Sequence, residues 1–261
     1  MINGDLSGAA DAQASTPDTT LRPGLPAGRT LRIITVAVGV AIAVYVSFWM
    51  PVGYVPTDVS PIDPEGQSVV QRFGPFFALL SLLPALVAAI PMTFPARAQG
   101  WAGAGSAAVL TVFAVSAGNL GLYYFPVAML LWAATIVPLV LDRGIGRSAA
   151  LVWRLVAAAF LVLPALPAGS AIFSDDSGIV WIAVVLWVVA PIALAALCVW
   201  GMRVGYALTA FAGAAVMVAA VVEQGFLFAA FWLVAAVYLL IGASGFTVTR
   251  TVSVARLRPR F

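Results

Sequence analysis

Few residues in this chain of 261 can do chemistry. All 13 basic residues are Arg, and both Lys and His are absent. Without His there is no histidine-held haem or zinc and no imidazole relay for protons, and with Cys198 as the sole thiol there is no intrachain disulfide or CxxC redox pair. A serine nucleophile would find neither a His nor a Lys as its base. What remains is a short set. Arg154 is the one charge well inside an apolar run, Tyr123 and Tyr124 are adjacent in another, and Asp175, Asp176 and Glu223 are carboxylates at the ends of such runs. A guanidinium inside an apolar run either snorkels its long side chain to the surface or grips an anionic phosphate through a bidentate fork. Arg154, Tyr123, Tyr124 and Glu223 are therefore the candidate lipid or substrate contacts.

No catalytic residue, cofactor-binding residue or metal ligand emerges. Asp175 and Asp176 lie in Phe173-Ser174-Asp175-Asp176-Ser177-Gly178, a composition suited to an exposed turn. Asp58, Asp63 and Glu65 lack the spacing of a known cation loop. Phosphate-binding, dinucleotide-binding, zinc-protease and nucleophile-elbow motifs are not found in a supporting context. No carboxylate stands at mid-depth in an apolar run, which disfavours a proton-coupled pump.

The segments that carry these residues are unusually apolar. Hydrophobic residues make up 63% and charged residues 9%, where a soluble domain has about 25% charged. The mean hydropathy is +1.07. Since a helix needs about 20 apolar residues to cross a bilayer, the chain reads as an all-α integral membrane protein, a bundle of about eight transmembrane helices. The expected spans are residues 33–50, 76–92, 101–118, 122–141, 149–171, 179–200, 206–222 and 226–244. Residues 1–32 are expected to be a disordered tail, 51–75 an external loop and 247–261 a basic tail. Within the loop, Asp63-Pro64-Glu65 reads as a helix start and Gly74 as its stop.

Positively charged flanks stay in the cytoplasm. An N-terminus inside gathers every Arg but Arg72 and Arg154 on that side, Arg154 lying within a span, and this places both termini in the cytoplasm. The Ala-rich, Lys-free composition points to a GC-rich bacterial genome, and so to a bacterial cytoplasmic membrane. The least marked boundary is Ala117-Gly118-Asn119-Leu120-Gly121, an uncharged hairpin. Gly100-Trp101, Asn119 and Leu122 match Gly205-Tyr206, Gln224 and Leu227 at one common offset, the trace of a weak 4+4 parallel repeat or of shared composition.

Helix details follow the same physics. Pro84, Pro138, Pro164, Pro167 and Pro191 remove backbone donors inside spans and read as kinks. Gly103, Ala107 and Thr111, and Gly205, Thr209 and Gly213, form small-residue stripes that favour close internal packing. Trp49, Trp101, Trp153, Trp181 and Trp200 suit the interfacial belt, and Trp132, Trp187 and Trp232 suit packing.

The function expected is a non-enzymatic accessory, assembly or protective component of a membrane. A permease for an apolar or lipid-like solute, with a path by Arg154, Tyr123 and Tyr124, is the second reading. An enzyme acting on lipid head groups through Asp175, Asp176 and Glu223 is the third. The expected partners are membrane lipids, anionic ones included, and a membrane protein. Four C-terminal Arg beside apolar spans, without an aromatic platform, are a poor signal for nucleic acid.

Overall fold

The computed structural model describes residues 24–50, 68–144, 146–166, 181–223 and 228–257. They are all-helical, with no sheet among them. In chain order the helices are α1 (Gly24–Phe48), α2 (Val69–Phe73), α3 (Phe76–Ser81), α4 (Leu83–Ala89), α5 (Gln99–Ser116), α6 (Gly118–Arg143) and α7 (Arg147–Val162). They are followed by α8 (Trp181–Val184), α9 (Ala190–Val199), α10 (Arg203–Glu223) and α11 (Phe228–Leu257). A 3-10 turn at Ile90–Thr93 extends α4, and a π turn at Val185–Val189 joins α8 to α9.

Five helical segments are long and apolar enough to cross a membrane: Ala27–Phe48, Phe76–Thr93, Leu120–Arg143, Arg203–Val222 and Phe228–Arg250. Ser148–Val162 and Val185–Val199 are shorter apolar helices. The second segment is broken at Pro84 and Pro91, where the missing N–H groups turn a single run into α3, α4 and the 3-10 turn. In α6, by contrast, Pro126 and Pro138 are carried without a break. Pro191 sits at the start of α9, directly after the π turn, and Pro164 follows the end of α7.

Two helix ends differ from the expected boundaries. The first helix begins at Gly24, so residues 24–32 are not disordered tail. Ala27, Leu31, Thr35, Gly39, Ala43 and Ser47 recur every four residues and are all buried, one continuous packing stripe that starts before the apolar run does. At the other end α11 runs to Leu257, so the basic tail begins as helix; Thr247 in it is buried. α2 starts at Val69 with Ser68 as its cap, the Ser68 and Gln71 side chains each bonding the other's backbone N–H. The Asp63-Pro64-Glu65 start lies outside the described residues, and Gly74 ends α2 as expected. The Ala117–Gly121 hairpin is present: α5 stops at Ser116 and α6 starts at Gly118, whose φ of +56° suits a residue without a Cβ.

Contacts between helix ends set the relative directions. Arg32 near the start of α1 meets Gln99 at the start of α5. A Cβ on Gly28 would lie 2.7 Å from Pro138 Cγ near the end of α6. Ser47 near the end of α1, Ser81 at the end of α3 and Tyr124 near the start of α6 are joined by hydrogen bonds. The Trp232 indole N–H near the start of α11 donates to the Leu122 carbonyl at 3.1 Å. α1 and α5 thus run one way and α6 and α11 the other.

Two apolar clusters hold the helices together. The larger joins α1, α5, α6 and α11 around Leu31, Leu110, Tyr124, Leu130, Leu131 and Trp232. The smaller joins α7, α9, α10 and α11 around Leu161, Cys198, Tyr206 and Tyr238. Both small-residue stripes are spent on internal packing. Gly103 admits Thr135, a Cβ there falling 2.7 Å from Thr135 Oγ1, and Gly213 lets α10 approach the α11 backbone at Ala235 and Leu239. Outward, Trp101, Val115, Phe211 and Val222 are exposed, an apolar surface too extensive for water.

Candidate functional site

The polar groups of the interior fall into two end layers. In the layer at the start of α6, the Tyr124 hydroxyl donates to the Ser81 carbonyl at 2.6 Å. The Ser81 and Ser47 hydroxyls are 2.6 Å apart. Beside them the Tyr123 ring packs among Tyr45, Phe228 and Trp232, with centroids 4.9 to 5.9 Å apart. Trp187 stacks on Phe231 at 5.0 Å. Tyr123 and Tyr124 are therefore packing residues of an aromatic nest, Tyr124 with its hydroxyl already engaged.

The opposite layer holds the arginines. Arg154 on α7 is half-buried and lays its guanidinium on Gly201, where a Cβ would come 2.6 Å from Nη2. Gly201 has φ of +70° in the turn between α9 and α10, so this backbone platform favours glycine twice, by conformation and by space. The same guanidinium is within hydrogen-bonding reach of the Tyr206 hydroxyl, which donates to the Cys198 carbonyl at 3.2 Å. Arg203 caps the neighbouring surface, 4.7 Å from the centre of the Phe246 ring. Gly245 makes room for the Tyr206 ring on the α11 side. Tyr206 thus belongs to this layer, although nothing in the sequence signals its meeting with Arg154.

Tyr123 and Tyr124 stand at the start of α6 with Ser81, whereas Arg154 stands with Gly201 and Tyr206 near the start of α10. Glu223 is the last residue of α10; its side chain, like Asp175 and Asp176, lies outside what is described.

The second arginine of this layer was read only as a tail charge. Arg32 is 6% exposed and reaches from α1 to the start of α5. Its Nη1 donates to the Gln99 Oε1 and its Nη2 to the Gln99 carbonyl at 3.4 Å, while Nε is buried without a partner. The Gln99 side chain in turn donates to the Phe94 carbonyl at 3.0 Å. The four-residue stripe from Ala27 to Ser47 was the available signal, because it places residues 27–32 in a packed helix rather than a tail. Among the described residues no group of His, Cys, Asp or Glu could hold a metal ion. Comparison of the chain with protein-family models, curated proteins and solved structures finds no match.

Proposed function

We propose that this chain is a polytopic protein of a bacterial cytoplasmic membrane, crossing it eight times with both termini inside, and that it serves as a non-enzymatic accessory, assembly or protective component. The five long apolar segments supply five crossings in this reading. α5, which is less apolar, and α7 and the segment from α8 to α9, which are shorter, supply the remaining three with local thinning of the bilayer. The placement of both ends inside rests on the arginines, which the positive-inside rule keeps on one side.

The observation that carries the functional reading is the self-sufficiency of the neutral polar groups between the helices. Ser47, Ser81, Tyr124, Thr135, Thr209, Trp232 and Tyr238 are buried, and each is hydrogen-bonded to backbone or to a neighbour within the bundle. A transport path for a polar solute needs lining groups with bonding capacity to spare. These groups have spent theirs on the fold. Protein reconstituted in liposomes is expected to show no flux of ions, amino acids or sugars above empty vesicles. Flux above that background would overturn the reading and support a permease instead.

A further inference from the structure

We propose that the corner between Arg32 and the start of α5 is a binding site for one phosphate group. A guanidinium that is 6% exposed has lost most of its hydration, and among the described residues no carboxylate pairs with it. Its two bonds go to neutral acceptors of a single residue, Gln99, and its Nε–H has none. A charge buried on such terms calls for a counter-ion.

The surroundings add positive potential. Gln99 is the first residue of an 18-residue helix, α5, whose cap Ala98 offers no side-chain acceptor. The Gln99 and Ala102 amides bond Pro95 and Ala98, which leaves the Gly100 and Trp101 amides as the free donors expected of a first helical turn. The positive end of the helix dipole therefore faces the same corner as Arg32. Arg29, one turn before Arg32, and Arg97, two residues before Gln99, are exposed on the two segments that meet there. There is also room: a Cβ on Gly100 would have nothing within 4 Å.

A phosphate entering beside Gly100 would accept from the first-turn amides and from Arg97, and a small rotation of the Arg32 guanidinium away from Gln99 would bring its Nε–H to the anion. The phosphate can come from an anionic lipid head group or from solution. The lipid source rests on the bilayer reading above, and the site itself does not.

The test uses the full-length protein in nanodiscs of phosphatidylcholine, with phosphatidylglycerol or inorganic phosphate added separately, and reads thermal unfolding and retained phosphorus. Phosphatidylglycerol is expected to raise the unfolding temperature of the unaltered protein. Arg32→Gln should weaken the apparent affinity at least about tenfold, the value of a lost charged hydrogen bond, while Arg72→Gln, an exposed arginine on α2, leaves it unchanged. Gly100→Leu fills the entrance without touching Arg32, and it should abolish the response even if Arg32→Gln fails to fold. Protection by inorganic phosphate alone identifies a soluble phosphate as the source; protection by phosphatidylglycerol alone identifies the head group. No response to either anion, or an undiminished response in both variants, overturns the proposal. Should the chain prove soluble without detergent, the bilayer reading fails and the inorganic phosphate arm still decides the site.

Discussion

Arg32 and Arg154 occupy the same layer of the bundle, yet their surroundings are opposite. Arg154 is half-buried, rests on a glycine backbone, reaches a tyrosine hydroxyl and keeps a route to the surface. Arg32 is buried, bonds Gln99 at the start of α5 and leaves a donor unused. The first is a side chain that a membrane helix tolerates by snorkelling, and the second is one it tolerates only at a cost. Depth along a helix therefore says less about an arginine than which neighbouring helices come close enough to cover it.

The largest expected effect comes from prising the Arg32 corner open. Gly28→Leu would force α1 from α6, since even a Cβ there crowds Pro138, and should destabilise the protein by about 3 kcal/mol in a denaturant titration in micelles. Next comes a difference in sign between the two arginines. In neutral lipid, Arg32→Met removes an uncompensated buried charge and should stabilise by about 2 kcal/mol. Arg154→Met, at a half-exposed site, should destabilise by less than about 1 kcal/mol. Equal effects from the two would dissolve the contrast.

A smaller effect belongs to the Arg154 platform. Gly201→Ala should cost about 1.5 kcal/mol from the left-handed backbone conformation alone. Pairing it with Arg154→Ala should recover whatever part of the loss comes from the guanidinium lying on that glycine; a strictly additive double mutant would show that the two do not interact. The smallest is Arg203→Gln, which loses a contact with the Phe246 face at an exposed position and should cost about 0.5 kcal/mol, measured in the same titration.

Much of the architecture was readable before any coordinates. The Ala117–Gly118 hairpin, the stop at Gly74 and the inward use of the Gly103 and Gly205 stripes each depend on residues within a few positions of one another, so local chemistry suffices to read them. The ends of α1 and α11 were misjudged because hydropathy weighs a residue by its own side chain. Gly24–Arg32 and the turns beyond Thr247 are helical although their side chains are less apolar. The candidate site was half readable: Arg154 stands out in its run, whereas Arg32 looks like an ordinary flank.

The chain's own composition determined its secondary structure and its solvent-facing character. An apolar run of about 20 residues satisfies its backbone groups within itself as a helix, whatever the tertiary arrangement. What the tertiary structure alone decided is the environment of each charge. Gly28 and Gly39 let α1 sit close to α6 and α4, and Arg32 meets Gln99 of α5, contacts made between residues far apart in the chain, whereas Arg154 stays half-buried against Gly201. Burial is a property of pairs of helices, and a single run of residues does not contain it.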